Sequence, residues 1–312
     1  MTETSKKRGL RGYRIIILAL VGAALAIFGA VWSAVIFPSL DKVPLNYEKT
    51  LSFDGTFMVA NPMTQSMDTI PISQTLEQKA VGTEDGALLI HEVRTVKNSV
   101  TGEVLPAIYN DETTLAIDRH TLMFVPDVDE RGRTGYWGPP KGLGEGDSFD
   151  LWNPGAGRPL TARYARSENF RGIDVVVFTI NESDINLGKE PQSGGNLLFT
   201  TTINLWIEPS SGAVVNQEST TTTSIDMMGM KMPLQISTVN YAENTIVALM
   251  DTARSASWLL LWVKTLIPWI AICVGALLVI ISGIIVAVRD LRKSRGGKRT
   301  QIQKPTSFPL DA

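Results

Sequence analysis

From Leu266 to Val288 the chain runs for 23 residues without a charged side chain, LIPWIAICVGALLVIISGIIVAV, and then turns basic with Arg289, Arg292, Lys293, Arg295, Lys298 and Arg299. At about 1.5 Å of rise per residue such a helix is about 34 Å long, enough to cross a hydrocarbon core of about 30 Å. No other stretch restricts the fold so strongly. Lys and Arg beside a span are retained on the cytoplasmic side, so the chain before it, back to the next span, is expected outside.

That next span is Ile15 to Phe37, preceded by Lys6, Lys7, Arg8, Arg11 and Arg14. It exceeds a signal-peptide core of about 7 to 15 residues, and bulky Phe28 and Trp32 stand where a small-x-small cleavage site would fall. The expectation is an uncleaved signal anchor in a two-pass cell-membrane protein with both termini cytoplasmic. The layout is a basic tail at 1–14, a span at 15–37, an extracytoplasmic domain at 38–242, an amphipathic stalk at 243–265, a span at 266–288 and a basic tail at 289–312. Gly22, Ala26, Gly29 or Ala30, and Ser33 in the first span, and Gly275, Ala276, Ser282 and Gly283 in the second, recur at helical spacing. Such residues let two helices approach closely. Trp32, Trp258, Trp262 and Trp269 fall near the expected outer interface, as membrane anchors.

Charge follows the same division. Between Pro38 and Trp258 there are 16 Lys plus Arg against 28 Asp plus Glu, which leaves 13 against 3 for the rest of the chain. An acidic outer domain offers no basic stripe to neutralise phosphates, so nucleic acid is not expected as a partner. The basic flanks suit membrane lipid. The single cysteine, Cys273, lies inside the second span, so the outer domain has no disulfide and must be held by its apolar core.

From Lys42 to Tyr241 short runs of Thr, Val, Ile and Phe alternate with Gly, Pro, Asn and Asp. Strands are expected at 47–60, 72–81, 87–96, 114–117, 122–125, 163–167, 173–181, 197–207, 213–222 and 234–241. With no long helical period between them they predict a membrane-anchored, mainly β protein with an antiparallel extracytoplasmic domain between two transmembrane helices. Residues 127–159 are dense in Gly and Pro yet carry Tyr136, Trp137, Phe149 and Trp152. A disordered linker would not keep these aromatics, so a cap over the sheet, acting as a ligand or partner loop, is expected. In the stalk, Ile246, Leu249, Met250 and Ala253 share one helical face.

Chemistry-bearing motifs are sparse. His91 and His120 are the only imidazoles, and surface or structural roles are expected for both. No nucleophile elbow, P-loop or dinucleotide fingerprint is present, and no catalytic residue, metal or cofactor is expected. Asp127, Asp129, Glu130, Glu145, Asp147 and Asp150 lack the spacing of a calcium loop and read as solvated loop charge. Met227, Met228, Met230 and Met232 present thioethers, which suit Cu(I), but also pack adaptably. Core or apolar-ligand lining is the expectation for them.

Ala116-Ile117-Asp118-Arg119 before a turn, the Gly- and Pro-rich step from Tyr136 to Trp152, Phe170-Arg171-Gly172-Ile173 before a strand, and Leu205-Trp206-Ile207-Glu208-Pro209-Ser210-Ser211-Gly212 together resemble the porin-PorA-like family of actinobacterial envelope proteins, long described as a domain of unknown function. Leu122 departs from the pattern where a turn glycine is expected. The resemblance implies a membrane-anchored protein of a mycolate-type cell envelope, and the family label implies a porin-like channel or transport component. Two apolar helices with no interior charge do not enclose a water path by themselves. The residues therefore favour a non-catalytic protein whose outer domain binds an envelope lipid or glycolipid, or a protein partner, near the membrane.

Overall fold

The structure, a computed structural model, describes residues 3–297 except 62, 65 and 192. Of the two expected tails, residues 1–2 and 298–312 lie outside the described residues. The chain forms two units, Met1–Leu40 with Leu261–Ala312, and Asp41–Leu260.

The first unit contains α1 (Glu3–Val31), a π-helical turn (Trp32–Ile36), the short α2 (Phe37–Leu40), a second π-helical turn (Leu261–Leu266) and α4 (Ile267–Gly297). Two segments are long and apolar enough to cross a membrane, Tyr13–Ile36 and Trp262–Arg292. They pack as the small residues predict. A Cβ on Gly22 would stand 2.7 Å from the Gly275 carbonyl oxygen, and one on Gly29 would stand 2.6 Å from that of Pro268. Numbers rise along one helix as they fall along the other, so the pair is antiparallel. Only residues without a side chain allow backbones so close. The two π turns also meet: Trp32 Nε1 donates to the Val263 carbonyl at 2.9 Å, satisfying an acceptor in a segment where the α-helical ladder is broken.

The second unit is built on one ten-stranded antiparallel sheet. Its strands are β1 (Glu48–Asn61), β2 (Ser66–Glu84), β3 (Ala87–Asn98), β4 (Asp111–Ile117), β5 (Ser148–Asn153), β6 (Arg158–Phe170), β7 (Ile173–Lys189), β8 (Asn196–Glu208), β9 (Ala213–Met227) and β10 (Met230–Tyr241). The order β4-β3-β2-β1-β10-β9-β8-β7-β6-β5 means that two meanders, β1 to β4 and β5 to β10, are joined where the first strand meets the last. Phe53 pairs with Tyr241 and Val59 with Gln235 across that seam. Asp85-Gly86, Arg171-Gly172 and Met228-Gly229 place two residues each at positive φ, as two-residue type I′ hairpins require.

The sheet is curled, and three apolar clusters fill it. β7 is buried on both faces: Val175 and Val177 pack with Trp206 and Val215 in one cluster, while Val176, Phe178 and Ile180 pack with Leu205 and Ile207 in another. α3 (Glu243–Leu260) follows β10 and puts Ile246, Leu249, Met250 and Ala253 into the first cluster, the face its periodicity predicts. Its start is clasped to β1, since Ala242 N–H donates to the Ser52 carbonyl and Ser52 N–H donates to Thr245 Oγ1.

Residues 127–159 differ from the expected irregular cap. β5 forms within them and β6 begins there, and the segments around 122–125 and 135–137 lie between the two edges of the sheet. Val125 N–H donates to the Ala116 carbonyl of β4, Phe124 N–H to the Gly135 carbonyl, and Tyr136 N–H to the Asp150 carbonyl of β5 at 2.8 Å. A continuous run of main-chain hydrogen bonds therefore links β4 to β5, and neither edge strand is left as an open template at that level. Gly135 makes this possible: it has φ 78°, and a Cβ there would stand 2.7 Å from the Asp150 carbonyl oxygen.

Candidate functional site

The bridging segment is held from below by a buried ion pair. Arg133 Nη1 donates to Asp129 Oδ2 at 2.9 Å, with 3% and 0% of the two side chains exposed. Asp129 also accepts from the backbone N–H groups of Ala116, Arg131 and Arg133. Arg133 reaches Thr113 Oγ1 and the Thr114 carbonyl, and its guanidinium lies over the Phe124 ring. Three further acids of the loop are also engaged, while Asp127 and Glu145 are exposed. Glu130 accepts from Thr114 N–H and Thr113 Oγ1, Asp147 from Gly144 N–H, and Asp150 from Thr161 Oγ1. Solvated loop charge is thus the wrong description of Asp129, and Asp129, Glu130 and Asp147 each pin the backbone individually. Among the described residues no group of three or more His, Cys, Asp or Glu is arranged to hold a metal ion.

A turn at 118–122 completes the region. Asp118 Oδ1 accepts from the N–H groups of His120 and Thr121 and from Thr121 Oγ1, and these hydrogen bonds, led by Thr121, hold its carboxyl below the usual range. Leu122 takes φ 64°, so the position where a glycine is expected does have glycine-like backbone, occupied here by a branched residue. The turn is tied to the segment before β1. Arg119 Nε donates to the Val43 carbonyl, the His120 ring nitrogen Nδ1 lies 3.2 Å from the Asp41 carbonyl oxygen, and Lys141 pairs with Asp41. His91 stands 3.4 Å from Glu112 on the neighbouring strand.

Two open clefts lie on either side of Tyr136. The first, of about 470 Å³, is lined by Met123, Thr134, Gly135, Tyr136, Ser148, Phe149, Asp150 and Pro159. The second, of about 300 Å³, is lined by Asp41, His120, Thr121, Leu122, Tyr136, Pro140 and Lys141. Backbone alternation decides which of the expected loop aromatics reach them. Tyr136 turns toward Phe149, with ring centroids 6.1 Å apart, and both line the first cleft. Trp137 and Trp152 turn the other way, against Tyr47 and Phe124 respectively, and belong to the third apolar cluster. Of the four aromatics, Tyr136 and Phe149 therefore face a cleft, while Trp137 and Trp152 fasten the closing segment.

A polar relay lies beside that cluster. Tyr47 Oη donates to Gln78 Oε1 at 3.0 Å, and Gln78 Nε2 donates to Glu92 Oε2 at 2.7 Å. Burial, with Tyr241 and Glu92 nearby, pushes the Tyr47 phenol up, and burial pushes the Lys49 ammonium down. Arg94 Nε is the one buried side-chain nitrogen or oxygen without a partner among the described residues.

The methionines are not where apolar lining would put them. Met227 ends β9, Met228 and Gly229 form the hairpin turn, and Met230 and Met232 begin β10. Met228 is fully exposed and Met230 and Met232 are exposed. Only Met227 is partly covered, beside Gly195, where a Cβ would stand 2.9 Å from its Cγ. The run has no helical period, and its Met-Gly step matches Asp85-Gly86 and Arg171-Gly172, which is the signal that marks a hairpin tip. The expected membrane anchors Trp258, Trp262 and Trp269 are exposed, whereas Trp32 is half-buried in the contact between the helices.

Comparison with known proteins bears on the family. Porin PorA matches residues 16–284, which takes in most of both apolar segments and the whole sheet. No curated protein matches the sequence. Among solved structures, the chain is similar to Rv2717c from M. tuberculosis at 8% identity and a TM-score of 0.26, covering 62% of this chain and 91% of that one. It is also similar to the 12:0-ACP thioesterase from Umbellularia californica at 11% identity and a TM-score of 0.15, covering 70% and 87%. Similarity at that level carries no argument about fold or activity. A match across most of the chain, to a mainly antiparallel β protein with apolar helices at both ends, places it: the chain belongs to the Porin PorA family.

Proposed function

We propose that this chain is a two-pass protein of the cell envelope, with both termini cytoplasmic, whose extracytoplasmic β domain binds an apolar lipid, a glycolipid or a protein partner near the membrane without catalysis. The observation that carries the reading is the pair of clefts around Tyr136. They combine an aromatic wall with polar rims, a mixture that suits a ligand with an apolar body and a polar head. Each cleft has a single carboxylate, Asp150 in one and Asp41 in the other, and each is engaged, by Thr161 and by Lys141. This favours binding over acid-base chemistry with paired carboxylates. The orientation rests on the basic residues beyond each apolar run.

Native mass spectrometry of the detergent-purified protein tests the reading. A lipid or glycolipid adduct in the wild type that is depleted in Tyr136→Ala supports it, and a protein that repeatedly emerges without any adduct or partner overturns it. The family name supports a second reading, a porin-like channel or transport component. Two apolar helices packed glycine on glycine leave no room for water between them, so conduction would need several chains. Planar-bilayer recordings at defined oligomeric states decide this, and silence at every state removes it.

A further inference from the structure

We propose that the β9–β10 hairpin tip binds a soft monovalent metal ion, Cu(I) or Ag(I), through the thioethers of Met227, Met230 and Met232. This goes beyond the cleft reading and does not depend on it.

Two observations carry the proposal. The first is register. Met230 lies directly across the ladder from Met227, and Met232 pairs with Ile225 two residues further along the same strand. Directly paired residues of an antiparallel ladder, and residues two apart on one strand, share a face, with Cβ atoms about 5 Å apart across the pair. The hairpin thus sets three thioethers on one face, and Met228 stands at the turn between two of them.

The second is cost. Met228 occupies the first central position of a type I′ turn with φ 54°, where Asn, Asp or Gly is favoured, and its side chain is entirely exposed. The equivalent residues in two other hairpins of the sheet are Asp85 and Arg171, both polar. A bulky apolar residue that is unfavourable in backbone and in solvation, flanked by further exposed methionines, is not explained by packing.

The nearby hard ligands are already engaged. Asp226 Oδ1 accepts from Gly229 N–H within the turn, and Asp184 pairs with Lys231 at 2.6 Å. Asp226 pairs with Lys231 on the opposite face of the ladder, so the face of Met227, Met230 and Met232 offers sulfur beside the apolar Ile225, and thioether sulfur suits soft ions such as Cu(I) rather than Mg²⁺ or Ca²⁺. Met227 is seated by Gly195, whose missing side chain leaves the space that its Cγ borders.

Leucine is the discriminating replacement, because it keeps the apolar bulk and removes the sulfur. The test titrates the full chain in detergent with Ag(I), and with Cu(I) under anaerobic conditions against a chromophoric chelator. The wild type is expected to take up one equivalent at this tip. The combined variant Met227→Leu, Met230→Leu, Met232→Leu is expected to bind at least about 100-fold more weakly with an unchanged melting temperature. X-ray absorption of the loaded wild type should show a sulfur-dominated shell. Equal binding by wild type and variant, no uptake by either, or a shell of nitrogen and oxygen overturns the proposal. So does a tip that inserts into lipid vesicles equally well in both forms while taking up no metal, since that outcome assigns the methionines to apolar contact.

Discussion

Arg133 and Asp129 form an ion pair sealed from solvent, four residues apart, in a loop rich in glycine and proline. The two partners are not equivalent. Asp129 is surrounded by three backbone N–H donors as well as the guanidinium, so it remains compensated if the arginine is lost. Arg133 has Thr113, the Thr114 carbonyl and the face of Phe124 to fall back on, none of them charged. Asp129→Ala is therefore expected to cost about 3 to 5 kcal/mol, the range for leaving a buried charge unpaired, and Arg133→Met clearly less. Denaturant melts of the purified protein measure both. Equal losses would show that the backbone donors contribute little.

The ion pair between Arg171 and Glu243, which ties the β6–β7 turn to the start of α3, supplies the contrast. It is bidentate, with Nη2 to Oε2 at 3.0 Å, but both side chains face solvent. Solvent-exposed pairs of this kind contribute little to stability. Arg171→Ala is expected to shift the melting temperature by no more than a few degrees, and the residual effect should vanish in high salt.

Acid should destabilise the β domain in a defined direction. Asp111 is held below the usual range by the Arg131 guanidinium, Asp118 by Thr121, and Glu168 by Arg166 with help from the Trp206 indole. A carboxylate whose folded value lies below its unfolded value binds its proton more readily in the unfolded chain. Its stabilisation is complete above the unfolded value of about 4 and is lost as pH falls through the folded one. Thermal melts should be flat near neutrality and fall steeply below about pH 4. Asp118→Asn, which keeps an acceptor but cannot titrate there, should fall less steeply. An identical slope would exclude Asp118 as a contributor.

Gly22 and Gly275 face each other in the contact between α1 and α4. A side chain at either position would collide with the opposing backbone or with Ala26. Gly22→Val is expected to force the helices apart by roughly 2 Å or more, given usual interaxial distances of about 8 to 10 Å. Spin-label distances between the helices in detergent would report it. The same label pair with Gly283→Val, where no atom stands within 4 Å of an added Cβ, should not move.

Much of this architecture was legible in the sequence because its signals were local. Both spans announce themselves by length and apolarity, and α3 by the spacing of Ile246, Leu249, Met250 and Ala253. Most strands begin and end close to the Gly, Pro and Asp punctuation that marks them. β5 was not legible, since its alternation of Phe149 and Leu151 spans six residues inside a stretch whose composition indicates a loop. The fate of Tyr136 and Trp137 could not be read either. Adjacent in sequence, they enter different clusters because of a bridging rung to Met123 and Leu151, which is a long-range pairing. The methionines show the opposite failure: apolar composition pointed inward, whereas the Met-Gly turn sends them out.

The seam between β1 and β10 has a consequence for the order in which the protein is made. Phe53 and its partner Tyr241 are separated by roughly 190 residues, and their rings lie 4.9 Å apart once joined. A ribosome adding about 5 to 20 residues per second needs about 10 to 40 s to supply the second after the first. Throughout that interval β1 to β4 can form a local meander whose β1 edge has nothing to pair with, beside Phe57 and Leu51, which are buried in the finished sheet. Such an edge invites pairing with another nascent chain. Closing the seam against β10 pairs that edge and removes the hazard.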